Sequence, residues 1–148
     1  MAFDYDLDFD NINFREQPEL YRVGRGEQGV LLVEPYKGDI LQYWRCKTPA
    51  IAKESYDKIY QMYLDYKDKN DFIGMDMARK FLQMGYTRAR RYANYKGGRK
   101  YNKNGEVNER DIDPEKADSS AIFEKKWVKV REDEEDLKLN KAHQKKYG

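Results

Sequence analysis

Residues 3–10 read Phe-Asp-Tyr-Asp-Leu-Asp-Phe-Asp, so apolar and acidic positions alternate with a period of two. That is the pattern of a strand with one wet face. Four aspartates on the same face repel one another, which points to an edge strand or an extended arm. Further on, Leu20-Tyr21-Arg22-Val23, a glycine-rich run from Gly24 to Gly29, and Val30-Leu31-Leu32-Val33 predict strand, loop and strand, stopped by Pro35. The plain reading is a hairpin. Ile40 to Cys46 fits either a short helical turn or a strand.

Beyond this point the period changes to that of a helix. Thr48-Pro49 is a helix start: the hydroxyl caps free amides, and proline at the first helical position has no amide to lose. Ala52, Tyr56, Ile59, Tyr63 and Tyr66 then advance by four, three, four and three, predicting an amphipathic helix to about Lys67. A second helix is predicted from about Asp71 to Met84. Phe72, Met75, Met77, Ala78, Phe81, Leu82 and Met84 make it apolar almost all round, with a narrow polar stripe of Asp76, Arg79, Lys80 and Gln83. It is the candidate centre of the core. Gly85 fits the left-handed position that ends a helix. Thr87 then caps a shorter helix with Ala89, Tyr92 and Ala93 dry and Arg88, Arg90, Arg91 and Asn94 wet, ended by Gly97-Gly98. Asn104-Gly105 marks a turn. Asp113-Pro114 opens another helix, with Ile122, Phe123, Trp127 and Val130 as its apolar stripe. Past Glu132 the stripe fails.

The fold class expected is therefore α+β: a mainly helical single domain over residues 1–148 with an N-terminal strand or hairpin region. Residues 1–17 form an acidic strand or arm, and about 132–148 form a frayed charged tail. The helices on either side of Gly85 have the spacing of a helix-turn-helix-like pair.

A chain of 148 residues suits one domain. The net charge is only +2, but it is segregated: residues 1–20 carry −5, and residues 77–103 carry +9 with no acid. Thirteen tyrosines make the chain unusually rich in rings that carry a hydroxyl. Cys46 and His143 are each the sole residue of their type, which excludes an internal disulfide and a Cys/His zinc cluster within the chain; with the one histidine near the C-terminus, no Ser-His-Asp triad and no Cys-His pair are expected. His143 falls in the expected tail. An EF-hand loop starting at Asp4 would need glycine and glutamate where Phe9 and Arg15 stand. No metal site and no cofactor are expected. With no signal-like N-terminus and no run long enough to span a bilayer, the chain reads as cytosolic with no membrane partner.

The basic stretch from Arg79 to Lys103 is the most informative chemistry. Arg88, Arg90, Arg91, Lys96, Arg99 and Lys100 are candidate phosphate contacts, and Asn94 is a candidate contact to a base edge. Tyrosines 86, 92, 95 and 101 interleave the bases and suit stacking on unpaired nucleotides. The competing reading is a solvated face, or one neutralised by the acidic N-terminus. Gly24-Arg25-Gly26-Glu27-Gln28-Gly29 matches the dinucleotide pattern literally, but a strand rather than a helix is expected after it. Arg22, Arg25 and Gly26 are retained as candidates for binding a phosphate on loop amides.

Three long blocks carry a resemblance: Tyr21 to Tyr36, Trp44 to Pro49, and Gly74 to Asn94 with Gly97-Gly-Arg-Lys-Tyr101. They resemble an uncharacterised family of bacteria and tailed bacteriophages catalogued as a domain of unknown function. The resemblance runs to about Val130. It implies a bacterial cytoplasm or a phage-infected cell, and no activity.

The function expected is a small nucleic-acid-binding module for DNA or RNA, working through a basic helix and a glycine-arginine arm. The alternatives are a protein-interaction or phage accessory structural protein, self-association included, and a Mg-dependent enzyme on phosphate esters or nucleotides. The enzyme reading needs a cleft where the glycine loop meets Arg88 or Arg91 and two carboxylates.

Overall fold

Thr48 caps as its position predicts. Its Oγ1 accepts the Ile51 amide at 3.2 Å, and Pro49 opens helix α2, Pro49–Asp68, which follows a short helix α1, Tyr36–Leu41. This computed structural model describes residues 3–45, 47–94, 101–106 and 114–147. Ala52, Ser55, Ile59, Tyr63 and Tyr66 form the buried face of α2, with Tyr56 half-buried beside them. Asn70 ends the helix in the left-handed conformation at φ 53°, and the Asp71 amide returns to the Tyr66 carbonyl at 2.9 Å.

Asp71 starts the next helix, its Oδ1 accepting the Gly74 amide at 3.1 Å. Helix α3, Phe72–Asn94, runs about 35 Å. As its composition predicts, it is the centre: every other helix packs on it. Helix α4, Pro114–Arg131, lies along it, burying Phe123 and Val130 and half-burying Ile122 and Trp127. Helix α5, Glu134–Tyr147, completes the fold.

Three expectations are corrected. First, the fold is mainly helical: no β-strand occurs among the described residues. The alternating segment at 3–10 coils instead. Asp4 Oδ1 accepts the Asp6 amide at 2.9 Å, a local side-chain partner for the backbone, and a 3-10 turn forms at Phe9–Asn11, where Asp8 Oδ2 accepts from Asn11 Nδ2 at 2.6 Å. Phe3 is buried and Leu7 and Phe9 are half-buried, while Tyr5 is exposed; the rings of Phe3, Phe9, Phe14 and Tyr21 follow one another at 5.8, 6.1 and 6.3 Å. The expected hairpin at 20–33 is a 3-10 turn, Pro18–Leu20, followed by a series of tight turns closed by amide-to-carbonyl bonds Gln28–Arg25, Val30–Glu27 and Leu32–Gly29. Gly29 has φ 78°, and a Cβ there would lie 2.3 Å from the Phe3 ring, so the chain turns where a strand residue would clash. The Asn104-Gly105 turn is present, with the Gly105 amide bonded to the Asn102 carbonyl at 3.1 Å.

Second, α3 does not stop at Gly85, so there is no helix-turn-helix-like pair. Gly85 is helical, and a Cβ on it would sit 2.5 Å from Phe123 Cδ1. The glycine lets α4 approach; it does not end α3. Third, the expected frayed tail is a helix. Asp133 Oδ1 accepts the amides of Glu135 and Asp136 at 3.0 and 3.2 Å, and His143 is buried with Nε2 2.7 Å from the Tyr21 carbonyl. A carbonyl only accepts, so that nitrogen carries the proton. Charge hid two residues that anchor the helix. Cys46 and Gly97-Gly98 lie outside the described residues, as does Asp113, next to Pro114 at the start of α4.

Candidate nucleic-acid interface

The last two turns of α3 carry arginines of the basic stretch. Arg88, Arg90 and Arg91 are exposed there, and none has a carboxylate within 4 Å among the described residues. At roughly 100° per residue, Arg88 and Arg91 point about 60° apart and Arg90 turns to the opposite flank. Two of the three lie on aromatic rings. Arg88 Cζ is 5.2 Å from the Trp44 centroid, and Trp44 is fixed by its Nε1–H donating to the Phe81 carbonyl at 3.0 Å. Arg90 Cζ is 5.9 Å from the Tyr86 centroid, and its Nη1 donates to the Tyr86 hydroxyl at 3.2 Å. Tyr86 rests on Trp127 at 5.5 Å. A guanidinium set over a ring can still offer its remaining donors to an outside acceptor.

One acid lies nearby. Glu27 is half-buried; burial raises its carboxyl above the ordinary value, against the pull of Thr87 and of the charges of Arg88, Arg91 and Arg79. Its Oε2 is buried without a hydrogen-bond partner. The acidic N-terminus does not neutralise the arginines: none of Asp4, Asp6, Asp8 and Asp10 has a base within 4 Å among the described residues. Asn94 is half-buried at the helix end, and Lys96, Arg99 and Lys100 lie outside the described residues. Tyr101 is exposed.

The loop candidates are arranged differently. Arg25 and Gly26 are exposed and Arg22 is half-buried, but Gly26 offers its carbonyl to Arg79. The Arg25 amide donates to Gln28 Oε1 at 2.8 Å, so this loop is largely bonded to itself and to α3.

Arg79 and Lys80 do not belong to the exposed basic surface. Lys80 is fully buried; its Nζ donates to the Gln28 carbonyl at 2.6 Å, lies 3.8 Å from Asp76 Oδ2, and sits over the rings of Phe3 and Tyr21. Burial pulls its ammonium down to about 8, against the upward pull of Asp76. Arg79 Nη2 pairs with Asp76 Oδ1 at 2.6 Å, and the Tyr21 hydroxyl donates to Asp76 Oδ2. Burial alone would raise Asp76; Arg79, Lys80 and the Tyr21 hydrogen bond more than offset it and hold the carboxyl below its usual range. Asp136 is the other buried acid. Tyr63 donates to it at 3.3 Å, and burial, then the charge of Asp76, pushes its carboxyl up to about 7. In the sequence, Asp76, Arg79 and Lys80 stand out as a polar stripe on the central helix, but their burial with Asp136 does not, although an acid within an apolar helix is a signal for it. Among the described residues, no group of three or more His, Cys, Asp or Glu is arranged to hold a metal ion. No helix among them is long and apolar enough to cross a membrane.

With this geometry in view, the family is clear. Residues 4–146 match the family described as Domain of unknown function (DUF4385). The chain belongs to this family. No curated protein and no solved structure matches the chain. The match to DUF4385 takes in all five helices except the last residue of α5, so the α3 arginines and the buried charge cluster both lie within the family's domain.

Proposed function

We propose that this DUF4385 domain is a small nucleic-acid-binding module that contacts phosphates through the exposed end of α3. The observation that carries the reading is the state of Arg88, Arg90 and Arg91: exposed, without a carboxylate partner among the described residues, and in two cases set over a ring. Helix α3 is packed by all the other helices, so it does not project into a major groove as a reading helix would. Phosphate contact with little base readout in duplex DNA is the mode that fits. Such a role accords with a bacterial cytoplasm or a phage-infected cell.

Fluorescence anisotropy with labelled single- and double-stranded DNA and RNA tests it. Three phosphate contacts on duplex DNA should weaken binding about 40-fold between 50 and 200 mM salt. Replacing Arg88, Arg90 and Arg91 together by glutamine should abolish binding while the chain stays folded, with at most a modest fall in melting temperature from the lost ring contacts. Absence of binding at 50 mM salt, or binding indifferent to salt, overturns the proposal.

A further inference from the structure

A cleft of about 300 Å³ opens where the 24–29 loop meets α3, α4 and α5. Its Trp127 wall also supports Tyr86, the ring under Arg90, but none of Arg88, Arg90 and Arg91 lines it. Its floor holds Asp76 and Arg79, already bonded to each other, and the buried carboxyl of Asp136. One wall is the half-buried indole of Trp127, and Arg131 stands at the mouth.

Four groups of the lining, Asp136, Gln83, Asn140 and Arg131, have unused capacity. Asp136 has a hydrogen bond only to Oδ2, and Oδ1 is not sealed in the protein. Gln83 spends its Oε1 on Arg79, and Asn140 spends its Oδ1 on Gln144. Among the described residues, neither Gln83 Nε2 nor Asn140 Nδ2 donates to the protein. Both amides line the cleft. Arg131 has no carboxylate within 4 Å among the described residues. Its guanidinium lies on the Trp127 ring at 4.6 Å, so a flat polar group already occupies the indole face.

The set is selective in its chemistry. An aromatic face takes a planar ring. Two amide donors and one carboxyl beside it suit a ring edge that mixes acceptors with an N–H or amino group, the same pairings that read bases. An unpaired arginine at the mouth suits one anionic group. The volume is at the small end for ligand sites.

We propose that this cleft binds one nucleotide, its base against Trp127, its polar edge on Asp136, Gln83 and Asn140, and its phosphate on Arg131. Arg131 leaves the indole as the base enters. The nucleotide is either free or an unpaired residue of a strand. The site stands on its own geometry and does not require the α3 arginines.

Titration calorimetry with the full chain decides it. The probes are AMP, GMP, CMP and UMP, the matching nucleosides, inorganic phosphate, and a short single-stranded oligonucleotide. Arg131→Gln, an exposed change that should leave folding intact, is expected to weaken monophosphate binding at least about tenfold while leaving nucleoside binding as tight or tighter, because no guanidinium then has to leave the indole. Asp136→Asn is expected to change which base is preferred. Monophosphate binding identifies a free-nucleotide site. Binding of the oligonucleotide alone, weakened by Arg131→Gln but retained when Arg88, Arg90 and Arg91 are glutamine, identifies an unpaired nucleotide. The proposal falls if neither probe binds at 1 mM, if inorganic phosphate binds as tightly as the monophosphates, or if Arg131→Gln weakens nucleosides and monophosphates equally.

Discussion

Replacing Gly85 by alanine puts two physical effects in opposition at one atom. Alanine in a helix interior is favoured over glycine by about 1 kcal/mol. Against that, the new Cβ would lie 2.5, 2.6 and 2.8 Å from Cδ1, Cε1 and Cγ of Phe123. Carbon atoms in contact prefer about 3.5–4.0 Å, so the ring must retreat by about 1 Å. Phe123 is fully buried and has no open space to enter. Overpacking of this kind costs about 1–3 kcal/mol, and three short contacts on one rigid ring place it at the upper end. The net expectation is a loss of about 1–2 kcal/mol, or a melting temperature lower by roughly 3–8 °C for a domain of this size. Urea titration followed by circular dichroism measures it. The decisive measurement is a double-mutant cycle with Phe123→Leu. Leucine removes the ring edge, so alanine at position 85 should then be neutral or stabilising, a coupling of about 2 kcal/mol. If the two changes simply add, Gly85 acts through its backbone alone and the close approach of α3 and α4 is not what selects glycine.

Asp136→Asn should raise stability by about 2 kcal/mol at pH 8, taking roughly half of the full linkage value because solvent relaxation screens the buried charge. The native carboxyl titrates at about 7, above its unfolded value, so the native state binds more protons between these values. Wild-type stability should therefore fall as pH rises from about 4 to 7, and urea midpoints across that range should show a weaker fall in the variant. Thr48→Ala removes the cap on the Ile51 amide and should cost about 1 kcal/mol, read as a lower melting temperature without loss of the folded baseline. Lys80→Met keeps the stem but loses the bond to the Gln28 carbonyl and the charge beside Asp76. A cost of about 2–3 kcal/mol is expected, with amide exchange accelerated first in residues 21–33.

What the sequence disclosed was what local chemistry decides. Thr48-Pro49 started α2 as predicted, and the Ala52, Ile59, Tyr63, Tyr66 stripe is buried. The apolar excess of residues 72–84 identified the central helix. What it did not disclose depends on distant partners. Gly85 has the same local signature whether it ends a helix or admits Phe123, and only the position of α4 distinguishes the two. Alternation at residues 3–10 placed Phe3 and Phe9 toward the core but not Tyr5, because with no neighbouring strand to pair with the chain turns at Asp4. Arg79 and Lys80 were counted with the outer charges because nothing in their own turn of helix reveals that a loop covers them. For the candidate surface, Arg88, Arg90 and Arg91 were legible as exposed. The Trp127–Arg131–Asp136 cleft was not, since it draws on four separate stretches of chain.

The manner in which that loop is fastened has a consequence of its own. Arg79 and Lys80 grip Gly26 and Gln28 by their main-chain oxygens, and His143 holds Tyr21 in the same way. Every residue type supplies such an oxygen. The outward side chains of this segment are thus released from any duty to keep it seated, and related domains are at liberty to redecorate that face for different company while the mounting beneath stays the same.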